Sequence, residues 1–256
     1  MALIQANNIS KQFGGIAALK SINIEVEQGE IRGLIGPNGA GKTTFFNVLA
    51  GNYTPTAGTL LFAGSDIGKL SIHERVSLGI VRTFQNIRLF SSMTVLDNVK
   101  MGYHARTSSG WLATAIGRRW VFDEEKRLKE NAISLLERFG IERIADEQVG
   151  NLSYGHQRRV EIARAMAAKP KLLLLDEPAA GMNDTEGQEL VRHIRDIRDQ
   201  GVTIIIVEHD MRVVMSVSDH ISVLAHGEII AEGEPEAIQG NQRVNEEYLG
   251  KGSAAC

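Results

Sequence analysis

Apolar residues fall along this chain in short blocks of two kinds. Near-continuous runs occur at "IRGLIG" (31–36), "TLLFAG" (59–64), "KLLLLD" (171–176), "VTIIIVE" (202–208) and "HISVLA" (220–225). Runs of this length suit strands covered on both faces, and their alternation with helical patterns predicts a mostly parallel sheet in an α/β core. "INIEVE" (22–27) instead alternates apolar and polar residues among closely spaced turn signals, which predicts a small antiparallel lobe at the N-terminus. Residues 94–168 hold no strand-like run. There, "DEEKRLKENAISLLERFG" (123–140) sets Leu128, Ala132, Leu135, Leu136 and Phe139 on one helical stripe, with Gly140 as a stop. The expected organisation is therefore one domain, 1–256, with a core at about 1–93 and 169–233 and an inserted helical lobe at about 94–168. The remaining tail, about 234–256, reads as a short helix or two with a frayed end.

Composition narrows the setting. The balance of 43% hydrophobic and 23% charged residues is that of a folded globular chain. A net charge of −3 gives no general attraction to nucleic acid or to an acidic membrane. Cys256 is the single cysteine, so a disulfide framework is excluded and a reducing compartment is expected. "MALIQANNIS" lacks the basic and apolar regions of a signal peptide, and no apolar run approaches membrane-spanning length. A soluble protein is expected, with any membrane role exercised through a partner.

The clearest chemistry lies in "GPNGAGKT" (36–43), which fits G-x-x-x-x-G-K-[ST] between a strand-like and a helix-like segment. Gly36, Gly39 and Gly41 let the backbone wrap closely enough for N–H groups to face phosphate oxygens, and the helix start adds its dipole. Lys42 would bridge β- and γ-phosphates, and Thr43 would hold Mg²⁺. In "KLLLLDEP" (171–178), a buried strand ending at Asp176 places a carboxylate where open α/β sheets bind ligands. Asp176 would hold Mg²⁺ through water, and Glu177 would orient and deprotonate an attacking water. Three further residues carry weaker signals. His209 follows "TIIIVE" as a possible γ-phosphate donor or a surface residue. Gln85 in "RTFQNIRLF" has an amide able to coordinate Mg²⁺. Phe13 in "KQFGG" is either an adenine-stacking ring or a packed aromatic of the β-lobe.

A second Ser/Gly turn opens onto a helix in "NLSYGHQRRVEIARA" (151–165), far from the first. With this segment in place the chain resembles, over almost its whole length, the ATP-binding subunits of ABC transporters. Phe13 matches the adenine-stacking aromatic and "GPNGAGKTT" (Gly36, Pro37, Asn38, Gly39, Ala40, Gly41, Lys42, Thr43, Thr44) the Walker A loop. Gln85 matches the Q-loop, "LSYGHQ" the signature, "LLLLDEP" with Glu177 Walker B, "AAGMND" the D-loop and His209 the H-loop. The resemblance implies a P-loop NTPase (RecA-like) core that binds ATP and Mg²⁺, with Glu177, His209 and Gln85 catalytic and Thr43, Gln85 and Asp176 around the metal. It implies two ATPase chains packed head to tail, identical or paired, so that Ser153 and Gly155, with a helix from about 157, complete the partner's γ-phosphate site. Two departures stand out. Tyr154 and His156 replace residues of the usual LSGGQ, and Asn183 replaces the usual D-loop aspartate.

More narrowly, "RTFQNIRLFSSMTVLDNV" (82–99), "YGHQRRVEIARA" and "DEPAAGMN" are similar to ATPases of bacterial branched-chain amino-acid importers, with relatives serving urea or short amides much alike. Such a role implies integral membrane permease subunits, a periplasmic solute-binding protein acting indirectly, no nucleic acid, and a peripheral location on the cytoplasmic face of the inner membrane. The spacer after the Q-loop region carries Trp111 and Trp120 with Arg106, Arg118 and Arg119. It either anchors a loop on the helical lobe or meets a membrane subunit or lipid headgroups. A ribosome- or DNA-directed ABC ATPase typically has two cassettes or long coiled coils, which this chain lacks. A simple P-loop kinase would leave the signature segment unexplained.

Overall fold

The computed structural model describes residues 1–104 and 118–249. In chain order its strands are β1 (Ala2–Phe13), β2 (Ile16–Glu27), β3 (Ile31–Ile35), β4 (Ala57–Phe62), β5 (Ser65–Asp66), β6 (Ile80–Arg82), β7 (Leu172–Asp176), β8 (Thr203–Val207), β9 (His220–Ala225) and β10 (Glu228–Gly233). They form two sheets. The order β2-β1-β4-β5 is antiparallel, while β10-β9-β3-β8-β7-β6 is parallel from β9 to β6, with β10 antiparallel at one edge. The apolar runs become β3, β4, β7, β8 and β9. Four strands carried no clear run: β1 mixes polar residues throughout, β5 and β6 are only two and three residues long, and β10 carries Glu228 and Glu232.

The helices are α1 (Lys42–Ala50), α2 (Ile72–Leu78), α3 (Val95–His104), α4 (Arg118–Arg138), α5 (Tyr154–Ala167), α6 (Asp184–Asp199), α7 (Met211–Val217), α8 (Pro235–Gln239) and α9 (Gln242–Leu249). The run "LLLLD" shows why these layers form. Leu172 and Leu174 are buried in one apolar cluster with α1 and the antiparallel sheet. Leu173 and Leu175 join a second cluster with α3, α4, α5 and α6. A strand sandwiched this way must be apolar on both faces, and each fully buried leucine contributes roughly 1.5–3 kcal/mol.

Among the described residues, the region between β6 and β7 holds helices and short 3₁₀ turns, together with one isolated bridge between Thr94 and Gln148. On α4, Ala132 and Leu136 are buried, as is Phe139 just past its end, and Leu135 packs against them. Gly140 ends the helix at φ +63°, and the Ile141 amide donates to the Leu136 carbonyl at 3.0 Å, the turn that favours glycine. Arg106 and Trp111 of the spacer lie outside the described residues, as do the side chains of Arg118, Arg119 and Trp120.

A buried cation holds the far end of α1. Arg75, 1% exposed, donates from Nε to the Leu70 carbonyl and from its two terminal nitrogens to the carbonyls of Val48, Leu49 and Ile67. The carbonyls of Val48 and Leu49 belong to the last turn of α1, where helical N–H donors run out, the Gly51 amide reaching Val48 at 3.3 Å, and positive charge is favoured. Burial lowers the Arg75 pKa to about 10, so it stays charged at neutral pH. Arg75→Met should cost about 3 kcal/mol, because several buried carbonyls lose charged donors. On that basis the melting temperature should fall by roughly 6–12 °C in a thermal denaturation scan.

Candidate functional site

The phosphate loop, Gln85, the acidic pair and His209 lie where parallel strands end, while Phe13 ends the antiparallel β1. The loop after β3 begins at Gly36, whose φ of +152° leaves no room for a side chain: a Cβ there would sit 2.0 Å from the Leu224 carbonyl oxygen. Gly39 (φ +79°) turns the loop, and Gly41 (φ +109°) opens α1 without any side-chain cap. Between them, the Ala40 amide donates to the Pro37 carbonyl at 3.2 Å, and the Gly227 amide donates to Ala40 at 2.9 Å. Pro37 is half-buried and Asn38 exposed. Lys42 is buried and turns back into the loop, donating to the carbonyls of Gly36 (2.5 Å) and Pro37 (3.0 Å). Desolvation lowers its pKa, and the charge of Glu177 opposes that shift. Thr43 is exposed and Thr44 half-buried on the first turn of α1. An uncapped helix start beside a buried ammonium is a site for a polyanion.

Across β8, Asp176 ends β7 and Glu177 follows it in the left-handed region at φ +47°. Such a conformation in a non-glycine residue is uncommon and concentrates at functional sites. The Glu177 amide donates to the Val207 carbonyl at 2.8 Å, which pins the turn to β8. One Glu177 carboxylate oxygen accepts from Gln85 Nε2 at 2.8 Å, and the other lies 2.6 Å from His209 Nε2. The structure therefore brings Gln85, Glu177 and His209 together from the ends of β6, β7 and β8. Asp176 meets a residue with no sequence signal: Arg82 Nη2 binds Asp176 Oδ2 at 2.7 Å, and Arg82 Nη1 donates to Asn47 of α1 at 2.7 Å. Glu208 was also missed, although an acid closing "VTIIIVE" parallels the aspartate closing "LLLLD". It accepts from the amides of Ala179 and His209, and burial raises its pKa.

The second Ser/Gly turn differs from its expected form. α5 starts at Tyr154 rather than near 157, with Ser153 as its cap: the His156 amide donates to Ser153 Oγ at 3.4 Å, and His156 Nδ1 lies 3.2 Å from the same oxygen. The earlier start arises because Ser153 itself takes up the extended cap conformation. Gly155 thus lies inside the first turn, where a Cβ would come 2.4 Å from the Glu186 carboxylate. Its smallness serves packing against α6 as well as any approach from outside. Asn183, the D-loop departure, caps α6 in a reciprocal box with Glu186, with both bonds 3.0 Å. Phe13 is 42% exposed, edge-on to Tyr53 at 5.1 Å, with the Lys11 ammonium 5.2 Å from its ring. It is an accessible ring rather than a core aromatic.

A family model described as ABC transporter matches residues 19–180. The chain is 41% identical over 250 residues to the high-affinity branched-chain amino acid transport ATP-binding protein BraF of Pseudomonas aeruginosa, covering 97% of this chain and 98% of that one. It is 42% identical over 250 residues to the corresponding protein LivG of Escherichia coli K12, with the same coverage. Among solved structures, the ADP conformation of an ATP-binding cassette of an ABC transporter superposes with a TM-score of 0.86 at 34% identity, covering 98% of this chain and all of that one. A dimeric cassette bound to ADP and Pi gives a TM-score of 0.76 at 26% identity, covering 91% of this chain and 98% of that one.

The two glycines of the loop should respond differently to a methyl group. Gly36→Ala meets backbone that cannot move aside, so loss of cooperative folding or of all nucleotide binding is expected. Gly39→Ala meets open space within 4 Å and should cost only the left-handed strain of about 1–2 kcal/mol. Thermal melts with and without ATP would measure both.

Proposed function

Because the chain belongs to the ABC transporter family, we propose that it is the ATP-hydrolysing subunit of a branched-chain amino-acid importer, working at the cytoplasmic face of the inner membrane. The relatives' printed functions support the solute. Among the described residues no helix is long and apolar enough to cross a membrane, so the membrane part of such an importer belongs to other chains. An apolar groove of about 370 Å³ supports a docking place for one of them: Ile72, Phe90 and Met101 stand exposed along it, with Phe84 beside Gln85 in its wall. A solute-binding protein on the other side of the membrane would act only through those chains.

The observation that carries the catalytic reading is the Glu177 carboxylate held at both oxygens, by Gln85 and by His209. Held this way it can accept a proton from a water aligned on the γ-phosphorus. The water oxygen bonds to phosphorus, its proton passes to Glu177, and the bond to the bridging oxygen breaks with its electrons leaving on ADP. Backbone amides of the 36–44 loop would face the phosphates of bound ATP, Lys42 would exchange its Gly36 and Pro37 carbonyl partners for them, and Phe13 offers a ring to adenine. The donor set fits Mg²⁺: Thr43 hydroxyl, Asp176 carboxylate and Gln85 amide are hard oxygen ligands. Among the described residues no cluster of three or more His, Cys, Asp or Glu forms a dedicated cage, as suits an ion held partly by phosphate. When bound, Mg²⁺ would offset charge on the β- and γ-phosphates.

The second phosphate-facing turn serves another ATPase chain. Ser153 and Gly155 at the start of α5 would complete the γ-phosphate site of a partner packed head to tail, the partner being a second copy or a related chain. The solved cassette described as dimeric and bound to ADP and Pi supports the presence of a second ATPase chain.

Glu177→Gln should retain ATP binding and lose hydrolysis by ~10²–10⁴-fold, the usual worth of a general base, and it should accumulate as an ATP-bound dimer. Phosphate release and size-exclusion profiles would record this, and near-normal turnover would remove Glu177 from the reaction. Ser153→Arg should bind ATP as the unaltered chain does, since its own phosphate loop is intact. Its ATP-driven association and hydrolysis should be lost, because a bulky cation replaces a hydroxyl at the partner's site. A Ser153→Arg protein that still dimerises and hydrolyses normally would reduce this turn to a helix cap.

A further inference from the structure

Arg158, on the second turn of α5, is fully buried, and none of the roles above uses it. Its guanidinium spans two segments. Nη1 donates to the Phe84 carbonyl at 2.8 Å and to Glu161 Oε2 at 2.7 Å. Nη2 donates to the Gln85 carbonyl at 2.9 Å and to the Tyr154 hydroxyl at 2.8 Å. Glu161, also buried, reaches the same segment with its other oxygen, accepting from the Arg88 amide at 3.4 Å. Burying an arginine is costly unless its donors are met. Here the two terminal nitrogens are met, by Glu161, by Tyr154 and by the carbonyls of two consecutive residues, one of which is Gln85, while Nε is buried with no hydrogen-bond partner among the described residues. A planar fork can hold two such carbonyls in fixed relation, as a lysine ammonium cannot.

We propose that Arg158 is a positioning residue that fastens the Phe84–Gln85 backbone to the first turns of α5, so that the Gln85 amide reaches Glu177. The proposal rests on the catalytic reading of Glu177 and Gln85 given above. It also assigns a purpose to Tyr154, which stands where the family signature usually has glycine. The tyrosine hydroxyl receives Arg158, and a Cβ at Gly181 would lie 3.6 Å from its ring, so Tyr154 joins the clamp to the turn before α6. Ser153 is the adjacent residue. The hydroxyl offered to a partner's nucleotide and the amide held at this chain's own Glu177 therefore sit on one hydrogen-bonded unit.

The test uses the full chain and two readouts. Replacing the pair together, Arg158→Met with Glu161→Leu, removes the clamp without stranding a buried charge. Tyr154→Phe removes only the hydroxyl and leaves the pair, so it serves where the double change unfolds. Hydrogen–deuterium exchange of amides 84–88 should rise by about tenfold or more in the pair replacement, as expected when a local opening becomes easier. kcat should fall by about tenfold while the ATP Kd changes less than about twofold, since misplacing a catalytic group reduces rate rather than ground-state binding. Tyr154→Phe should move both quantities in the same direction by a smaller factor, about two- to threefold, because the guanidinium loses one of four acceptors and keeps its ion pair with Glu161. In a Gln85→Ala background the kcat effect should disappear, which a general loss of stability would not produce. Unchanged exchange at 84–88, or a kcat loss undiminished by Gln85→Ala, would overturn the clamp. Exchange that rises while Gln85→Ala alone leaves kcat intact would support the clamp and overturn instead the role assigned to Gln85.

Discussion

The parallel strands β3, β8, β7 and β6 are covered on both faces, and that constraint arranges the rest of the molecule. With helices on one side and the antiparallel sheet with α1 on the other, polar side chains along the strands are few and paired, as Arg32 of β3 is with Glu30, Ser222 and Glu232, and there is little place there for free polar chemistry. It collects at their carboxyl ends, where the chain leaves the sheet and backbone groups lose their ladder partners. Lys42, Gln85, Glu177 and His209 each stand within a few residues past such an end. Four segments distant in sequence are thus delivered to one edge by register alone, as in the pairing of Leu174 with Ile205 and of Gly33 with Ile206.

Buried charges then set the details. Arg75 closes the end of α1, Arg82 joins α1 to Asp176, and Arg158 joins α5 to the segment carrying Gln85. Each arginine is largely removed from water and each spends its donors on two or more segments. Ion pairs in such places contribute little net stability, because desolvation offsets their attraction. What they supply is geometry, since a guanidinium whose terminal nitrogens are held by two or more segments tolerates few alternative positions. Glu208 does the same with backbone amides, fixing the turns after β7 and β8 that carry Glu177 and His209.

This division suits the proposed role, in which two ATPase chains would meet before turnover. The groove proposed for a membrane subunit, the Gln85 segment and the start of α5 are contiguous, and Glu161 lines the groove while binding Arg158. Displacement at the groove would therefore be felt at the Glu177 carboxylate and at the start of α5, through packed and hydrogen-bonded neighbours. Such coupling needs a connection that is rigid locally and free to move as a body, which a buried hydrogen-bonded cluster provides.

The amino-acid sequence by itself determined the sheet's apolar strands, the phosphate loop and the acidic pair Asp176–Glu177. Each is written in a continuous stretch: a run of period-free apolar residues, glycines at fixed spacing before Lys42, or an acid closing a buried strand. It also marked Gly140 as a helix stop, because one residue's conformational freedom is a local property. Tertiary structure alone decided that Arg82 meets Asp176, 94 residues away, that Arg158 holds Gln85, 73 residues away, and that Gln85 and His209 share the Glu177 carboxylate. It also started α5 at Tyr154 and left Phe13 accessible. A buried charge imposes no periodicity on its neighbours in sequence. Its partner is chosen by which strand ends lie side by side, and that is settled only when the sheet assembles.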